Sequence, residues 1–285
     1  DIGEMTMLVK VLACASPLSL QTHPTRQQAE RGFARENTAG IPLTDPKRVY
    51  KDPSDKPEIL IALTEFEALC GFDTIEASID RLQQFGWNEE ADVLDQNGID
   101  GYLLWAFDQR TSPSMNAVPG WMQRLSDAYP TDRALRVAPL LHHIVLQPGQ
   151  AISLPAGNLH AYLHGAGIEV MASSDNVVRA GFTSKHVDVG ELLRIVDTSP
   201  LESPISPTFV NNHWTEYASP SPAFSVASTT WENLHTVEAS SAHRFFFGPL
   251  GDDARPDMTW LPAGESHNFK TVPGTHNVAW MFTQN

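Results

Sequence analysis

The sequence predicts a mainly β chain with an α-helical insert, on three observations. Short runs with apolar residues at alternate positions, bounded by Pro, Gly and Asn, occur at the front of the chain and again after Pro139. Between Thr74 and Ala128 the apolar period lengthens to that of a helix, as in Ile75, Ile79 and Leu82. One turn sequence occurs twice: Leu154-Pro155-Ala156-Gly157-Asn158-Leu159-His160-Ala161-Tyr162 is matched by Leu261-Pro262-Ala263-Gly264-Glu265-Ser266-His267-Asn268-Phe269. A duplicated β unit would give that echo, and chance similarity of a short turn is the competing reading.

The elements follow in order. Leu8 to Ala13 and Leu18 to His23 read as strands joined at Ser16-Pro17, with Pro24 ending the second. Thr25 is the N-cap of a helix through Arg35, stopped by Gly40 and Pro42, and a loop runs from Thr44 to Lys56. Pro57 pushes Lys56 into an extended conformation, so that Lys56 and Glu58 open the strand Glu58 to Leu63 on one face. Helical stretches are expected over Thr74 to Phe85, Glu89 to Gln96, Gly101 to Asp108 and Ala117 to Ala128. Ile144 to Leu146 and Ile152 to Leu154 are strands around the turn Gln147-Pro148-Gly149-Gln150. Short strands continue at Ala161 to Leu163 and Ile168 to Met171, followed by a helix over Asp188 to Val196. Past Pro200 a Ser/Pro-rich stretch leads to strands at Phe224 to Ala227, His243 to Phe247, Thr259 to Leu261 and Val278 to Phe282, a second β-rich unit.

Charge excludes whole classes of partner. With 34 acidic against 19 basic side chains the net charge is −15, which opposes binding to nucleic-acid phosphates or anionic membranes, so an anionic ligand must rely on a few local cations. No apolar run reaches the length of a membrane span, and no basic segment precedes an apolar one at the N-terminus as in a signal peptide. Cys14 and Cys70 sit in apolar surroundings that suit small buried side chains better than a disulfide. A reduced, cytoplasmic setting is the expectation.

The strand-like run Leu18 to His23 places Leu18, Leu20 and Thr22 on one face and Ser19, Gln21 and His23 on the other. Side chains at i and i+2 share a face, so one short strand can supply two metal ligands. Joined by Glu58 and His160, Gln21 and His23 make a set of O,N,O,N donors suited to zinc or another first-row divalent ion. One carboxylate leaves such an ion with net positive charge, which suits an anionic intermediate of enediolate type. The competing readings are a half-buried strand with a wet polar face and a surface Lys56–Glu58 ion pair of little energetic value. His267, with no Gln-x-His strand ahead of it, is expected to be a relic or a capping side chain.

Three motifs in order carry a family resemblance: Leu18 to Pro24; Lys56-Pro57-Glu58 with Ile61 to Phe72; and Glu169-Val170-Met171-Ala172-Ser173-Ser174-Asp175-Asn176-Val177-Val178-Arg179-Ala180-Gly181-Phe182-Thr183. The chain from Leu8 to Val196 resembles the type I mannose-6-phosphate isomerases, and the remainder does so loosely. The resemblance implies a cupin-like jelly-roll catalytic barrel in two parts, 1–72 and 139–200, a helical insert over 73–138, and a second, degenerate cupin-like β domain over 201–285. It implies one zinc ion held by Gln21, His23, Glu58 and His160, and interconversion of mannose 6-phosphate and fructose 6-phosphate. Arg179 falls on the catalytic arginine of the family, Lys56, Glu169 and Lys185 on active-site positions, and Ser19 on a pocket-lining one. For Arg179 a salt bridge with Asp175 is the competing role.

A cis-enediol route needs one base that reaches two carbons, and Glu169, a metal-bound hydroxide or a Lys56 of lowered pKa are the options left open. A non-catalytic sugar-phosphate or metal-binding cupin is the alternative function, and a redox cupin oxygenase fits poorly because Gln21 is extraneous to its ligand scheme. Two departures stand out. Members usually read Asn-His-Lys-Pro-Glu where this chain has Ser54-Asp55-Lys56-Pro57-Glu58, which puts a carboxylate in place of an imidazole near the expected metal. The chain also starts well into the usual family sequence, without strands expected there; a monomer is the expectation where the first barrel is complete.

Overall fold

The computed structural model describes residues 6–230, 233–234, 236–249, 256–269 and 278–284. It divides into two compact units, one of Val9–Pro204 and one built mainly from Ile205–Asn285.

The first unit takes in β1 (Met7–Cys14) from Val9 onward, and β1 and β2 (Leu20–Thr22) lead into α1 (Arg26–Thr38), where Thr25 and Gln28 form a reciprocal cap. Strands β3 (Glu58–Ala62) and β4 (Phe66–Phe72) follow, then α2 (Ile75–Gln84), α3 (Asn88–Asp108) and α4 (Gly120–Ala128). β5 (Leu141–Leu146), β6 (Ala151–Leu154), β7 (His160–Ala172), β8 (Val178–Gly181) and α5 (Val189–Ile195) complete the unit. The two helical stretches expected around 89–108 are a single α3 kinked at Gly98, and α4 begins only after Pro119.

The sheet is organised around β7. Its first half pairs with β4, Leu69 opposite Ala161 and Cys70 opposite His160, while its second half pairs with β3, Glu58 opposite Met171. Two strands were expected where one long strand stands, and Gly165 and Gly167 lie between the two expected segments. They form a corner: Gly165 has φ 114°, and a Cβ there would lie 2.4 Å from the Glu65 carbonyl oxygen. β2 lies between β7 and β8, with Gln21 opposite both His160 and Arg179.

The two faces bury different partners. Leu20, Leu69, Phe72 and Val178 pack with Leu82, Leu94, Leu103 and Leu125 of the helical insert. Leu60, Phe66, Ala68, Cys70, Ile152, Leu154 and Tyr162 form a second core. Strand β4 is buried at nearly every position, so it shows no alternation, and the sequence reading passed over it as a strand. Leu18 is a correction: it is 39% exposed and the strand starts only at Leu20, because the chain arrives through Pro17 and the β2–β8 register shifts at Leu20/Gln21. Cys14 and Cys70 are buried and unpaired, and burial pushes the Cys70 thiol up to about 12.

The second unit contains β9 (Thr208–Asn211), β10 (Trp214–Tyr217), β11 (Phe224–Thr230), β12 (Thr236–Val237), β13 (His243–Pro249), β14 (Pro256–Leu261), β15 (His267–Asn268) and β16 (Val278–Gln284). One antiparallel sheet runs β14-β13-β16-β11-β10-β9, and β12 pairs with β15. The β9–β10 hairpin falls where the sequence showed only a polar, Pro-rich stretch. Among the described residues no helix is long and apolar enough to cross a membrane.

Candidate metal centre and the cavity above it

Three buried atoms converge in the first unit. Glu58 Oε2 lies 3.4 Å from His23 Nε2 and 3.7 Å from His160 Nε2. All three residues are about 1% exposed, and none of the three atoms has a hydrogen-bond partner. Left so, they would carry the full cost of desolvation.

The opposite edge of each imidazole is fixed. His23 Nδ1 lies 2.7 Å from the Asn176 carbonyl oxygen, and His160 Nδ1 lies 3.0 Å from that of Asn158. An Nδ1–H donating to each carbonyl leaves the Nε2 lone pairs aimed at Glu58, the orientation that metal-bound imidazoles adopt. Burial, with the neighbouring His23, pushes His160 down to about 4, so it stays neutral at pH 7. Burial opposes the charge of Glu58, but His23, Lys56 and His160 outweigh it and hold the carboxyl well below the usual range. A neutral imidazole, an ionised carboxylate and converging lone pairs fit a divalent cation, and among the described residues this is the only such group.

Above the triad opens a cavity of 460 Å³, lined by Ser19, Gln21, Lys56, Glu58, His160, Glu169, Arg179 and Lys185 among others. Of the nine site residues read from the sequence, only His23 is absent from its wall, being seated behind it. Gln21 faces the cavity and its Oε1 accepts a 2.9 Å hydrogen bond from Ser19 Oγ. Lys56 Nζ is 3.1 Å from Glu58 Oε1, and both side chains are buried, so the surface-pair reading does not apply. No Arg179–Asp175 ion pair forms among the described residues; Arg179 lines the cavity, and burial lowers its pKa. Asp55 is neither on the cavity wall nor in the His23–Glu58–His160 group.

The sequence reading missed four contributors. Lys10 of β1 reaches Glu169 at 2.6 Å, and the Tyr162 hydroxyl donates to the other oxygen of that carboxylate at 2.8 Å. Burial and the nearby Glu58 charge raise the Glu169 pKa, a rise that Lys10 and Tyr162 restrain. Asn176 ties two loops together: its amide nitrogen donates to the carbonyls of Asp52 and Ser54, and its Oδ1 accepts from Lys51 N. Asp132 accepts from the backbone N–H of Phe182 at 2.6 Å and holds that residue at φ 52°, a strained conformation at the head of the segment carrying Lys185. Lys10 and Leu12, two residues apart on β1, both line the cavity, but that spacing alone does not mark Lys10 as a site residue.

Fold and site together define a β-rich protein with a buried metal-type centre beneath a cavity lined with cations. The family model described as the type I phosphomannose isomerase catalytic domain matches residues 1–75. The mannose-6-phosphate isomerases of Salmonella typhimurium and Escherichia coli K12 are each 39% identical to the chain, over 70% and 67% of it and 56% and 54% of their own lengths. A solved zinc-bound mannose 6-phosphate isomerase superposes with a TM-score of 0.81 at 30% identity, covering 99% of this chain and 80% of that one. The chain belongs to the type I phosphomannose isomerase family. It spans about half the length of the curated relatives it matches.

Proposed function

We propose that this chain is a zinc-dependent aldose–ketose isomerase that interconverts mannose 6-phosphate and fructose 6-phosphate. The observation that carries the proposal is the convergence of His23 Nε2, Glu58 Oε2 and His160 Nε2, all without partners, beneath a cavity whose wall bears Lys10, Lys56, Arg179 and Lys185 against Glu58 and Glu169. In a chain of net charge −15 that local excess of cations is what a sugar phosphate requires. Relatives bearing the name mannose-6-phosphate isomerase, one of them solved with zinc, support the substrate and the metal. The architecture proposed is a cupin-type barrel formed by 1–72 and 139–200, with 73–138 as a helical insert and 201–285 as a second cupin-like domain, in a cytoplasmic protein.

In this reading Gln21, His23, Glu58 and His160 hold the zinc, which when bound polarises the sugar oxygens as a Lewis acid. Glu169 carries the proton between C1 and C2 through a cis-enediol: its carboxyl is raised toward the working range and steadied by Lys10 and Tyr162. Lys56, ion-paired with Glu58, serves as a donor to substrate oxygen rather than as a base. Arg179 places its guanidinium against the oxygens that gain negative charge. Lys185 and Ser19 position the substrate at the cavity wall.

Metal analysis joined to a coupled fructose 6-phosphate assay tests the proposal. Arg179→Ala is expected to lower turnover by roughly two to three orders of magnitude with little change in melting. A loss of less than about tenfold would remove Arg179 from the transition state. Binding of metal and sugar phosphate with no turnover in the unaltered chain would point to a non-catalytic binding protein instead.

A further inference from the structure

The second unit contains a cavity of its own, 340 Å³, lined by Arg244 of β13 together with residues of the segment 233–240. Arg244 is 8% exposed. Its Nη2 donates to the backbone carbonyl of Glu238 at 2.6 Å and, at 3.4 Å, to that of Glu265. Its Nε is buried without a hydrogen-bond partner, and among the described residues no carboxylate pairs with it. Glu238 lines the cavity but meets the guanidinium only through its main chain.

The other buried arginines differ. Arg48 faces Glu36 at 3.5 Å, and Arg136 faces Glu90 at 3.2 Å. A guanidinium keeps its proton in a protein, so a buried one without an anion is an uncompensated charge. The remaining wall is chemically mixed: Trp214, Leu234, Val237 and Met281 are apolar, and His213 and Asn233 are polar. Its volume lies at the lower end of small-molecule sites.

We propose that this cavity binds the oxyanion group of a small ligand, a carboxylate or a phosphate, against Arg244, with the body of the ligand on the Trp214 side. The site is independent of the catalytic reading. A planar guanidinium pairs with either anion in the same fork geometry, so the chemistry is shared and the source of the anion is open to experiment.

Hydrogen exchange on the full chain, followed peptide by peptide, tests this with inorganic phosphate in one arm and acetate in the other. Phosphate is expected to slow exchange in β13 and in 236–240. Because the readout is local, anion held at Arg179 or Lys185 does not contribute. Arg244→Gln should raise the phosphate concentration needed by at least about tenfold. Ser240→Asp keeps the acceptor that Ala242 N uses, retains the guanidinium, and adds a competing carboxylate to the cavity wall; it should have the same effect. Protection by phosphate alone identifies a phosphate site, and protection by acetate as well identifies a general oxyanion site. Absence of protection by both anions, or undiminished protection in Ser240→Asp and in a folded Arg244→Gln, overturns the proposal.

Discussion

The turn at Pro155–Asn158 and the turn at Pro262–Glu265 have the same backbone and different surroundings. In both, the fourth residue donates to the first carbonyl at 3.2 Å, and the third is a glycine with φ 84°, a type II geometry. After the first turn His160 enters β7, fully enclosed, between Gln21 and Cys70. After the second, His267 enters the two-residue β15, exposed, with the Phe269 ring 4.5 Å away. Both turns are tied through the glycine N–H, Gly157 to the His23 carbonyl at 2.8 Å and Gly264 to the Ser240 carbonyl at 2.7 Å, but the first is buttressed further by Asp197 N, which donates to the Gly157 carbonyl at 3.0 Å. A repeated turn can thus deliver an imidazole, but metal chemistry depends on the strands that supply its neighbours.

The largest expected effect tests that dependence directly. His23→Ala and His160→Ala should each weaken metal binding by more than about a hundredfold, beyond the range of lost outer-shell contacts. His267→Ala should leave it unchanged. Elemental analysis of the three variants decides, and equal loss from His267→Ala would make the two turns functional equals.

The buttress predicts a smaller difference. A Cβ on Gly157 would lie 2.9 Å from Asp197 Cβ, whereas one on Gly264 would meet none of the described residues within 4 Å. Gly157→Ala should therefore cost about 2 kcal/mol, strain and crowding together, against about 1 kcal/mol for Gly264→Ala. Denaturant titrations giving the same loss for both would show that the packing behind the first turn is slack.

The smallest effect concerns α5, which precedes Asp197. Its Glu191 accepts from the Tyr50 hydroxyl at 2.6 Å and from Arg35 and Arg194 at 2.8 Å each. Burial opposes its charge, but these donors overcome it and hold the carboxyl below its ordinary 4.5. A depressed folded pKa gives stability that is present above about pH 4.5 and fades as pH falls through the folded value. Glu191→Gln should thus be about 1 kcal/mol less stable at pH 7 and approach the unaltered chain in acid. Melting curves at pH 7 and pH 3.5 that keep a constant gap would assign the effect to packing instead of charge.

The legible parts of the site were those that local spacing can encode. Gln21 and His23 stand two residues apart, Gln21 on the cavity wall and His23 in the buried triad, and Pro57 forces Lys56 and Glu58 into the extended form that makes them neighbours. Lys10 and Tyr162 were silent because their role depends on which strands lie beside each other; nothing near Lys10 in sequence announces Glu169. Strand β4 was hidden by burial on both faces, and β7 by the glycines of its corner. Asn176 stood inside a recognised motif, yet its work, two loops tied and one imidazole aimed, is visible only in three dimensions.

The contrast between an acidic chain and a cationic cavity has a kinetic consequence. An anion approaching from solution first meets the field of 34 acidic against 19 basic side chains, and only near the wall that of Lys10, Lys56, Arg179 and Lys185. Dissolved salt screens the distant repulsion before the close attraction, since the Debye length is about 8 Å at physiological ionic strength. The second-order rate of anion capture should accordingly rise with ionic strength from very dilute buffer, reverse once the near contacts are screened in turn, and so show a maximum where a simply steered encounter shows a steady fall.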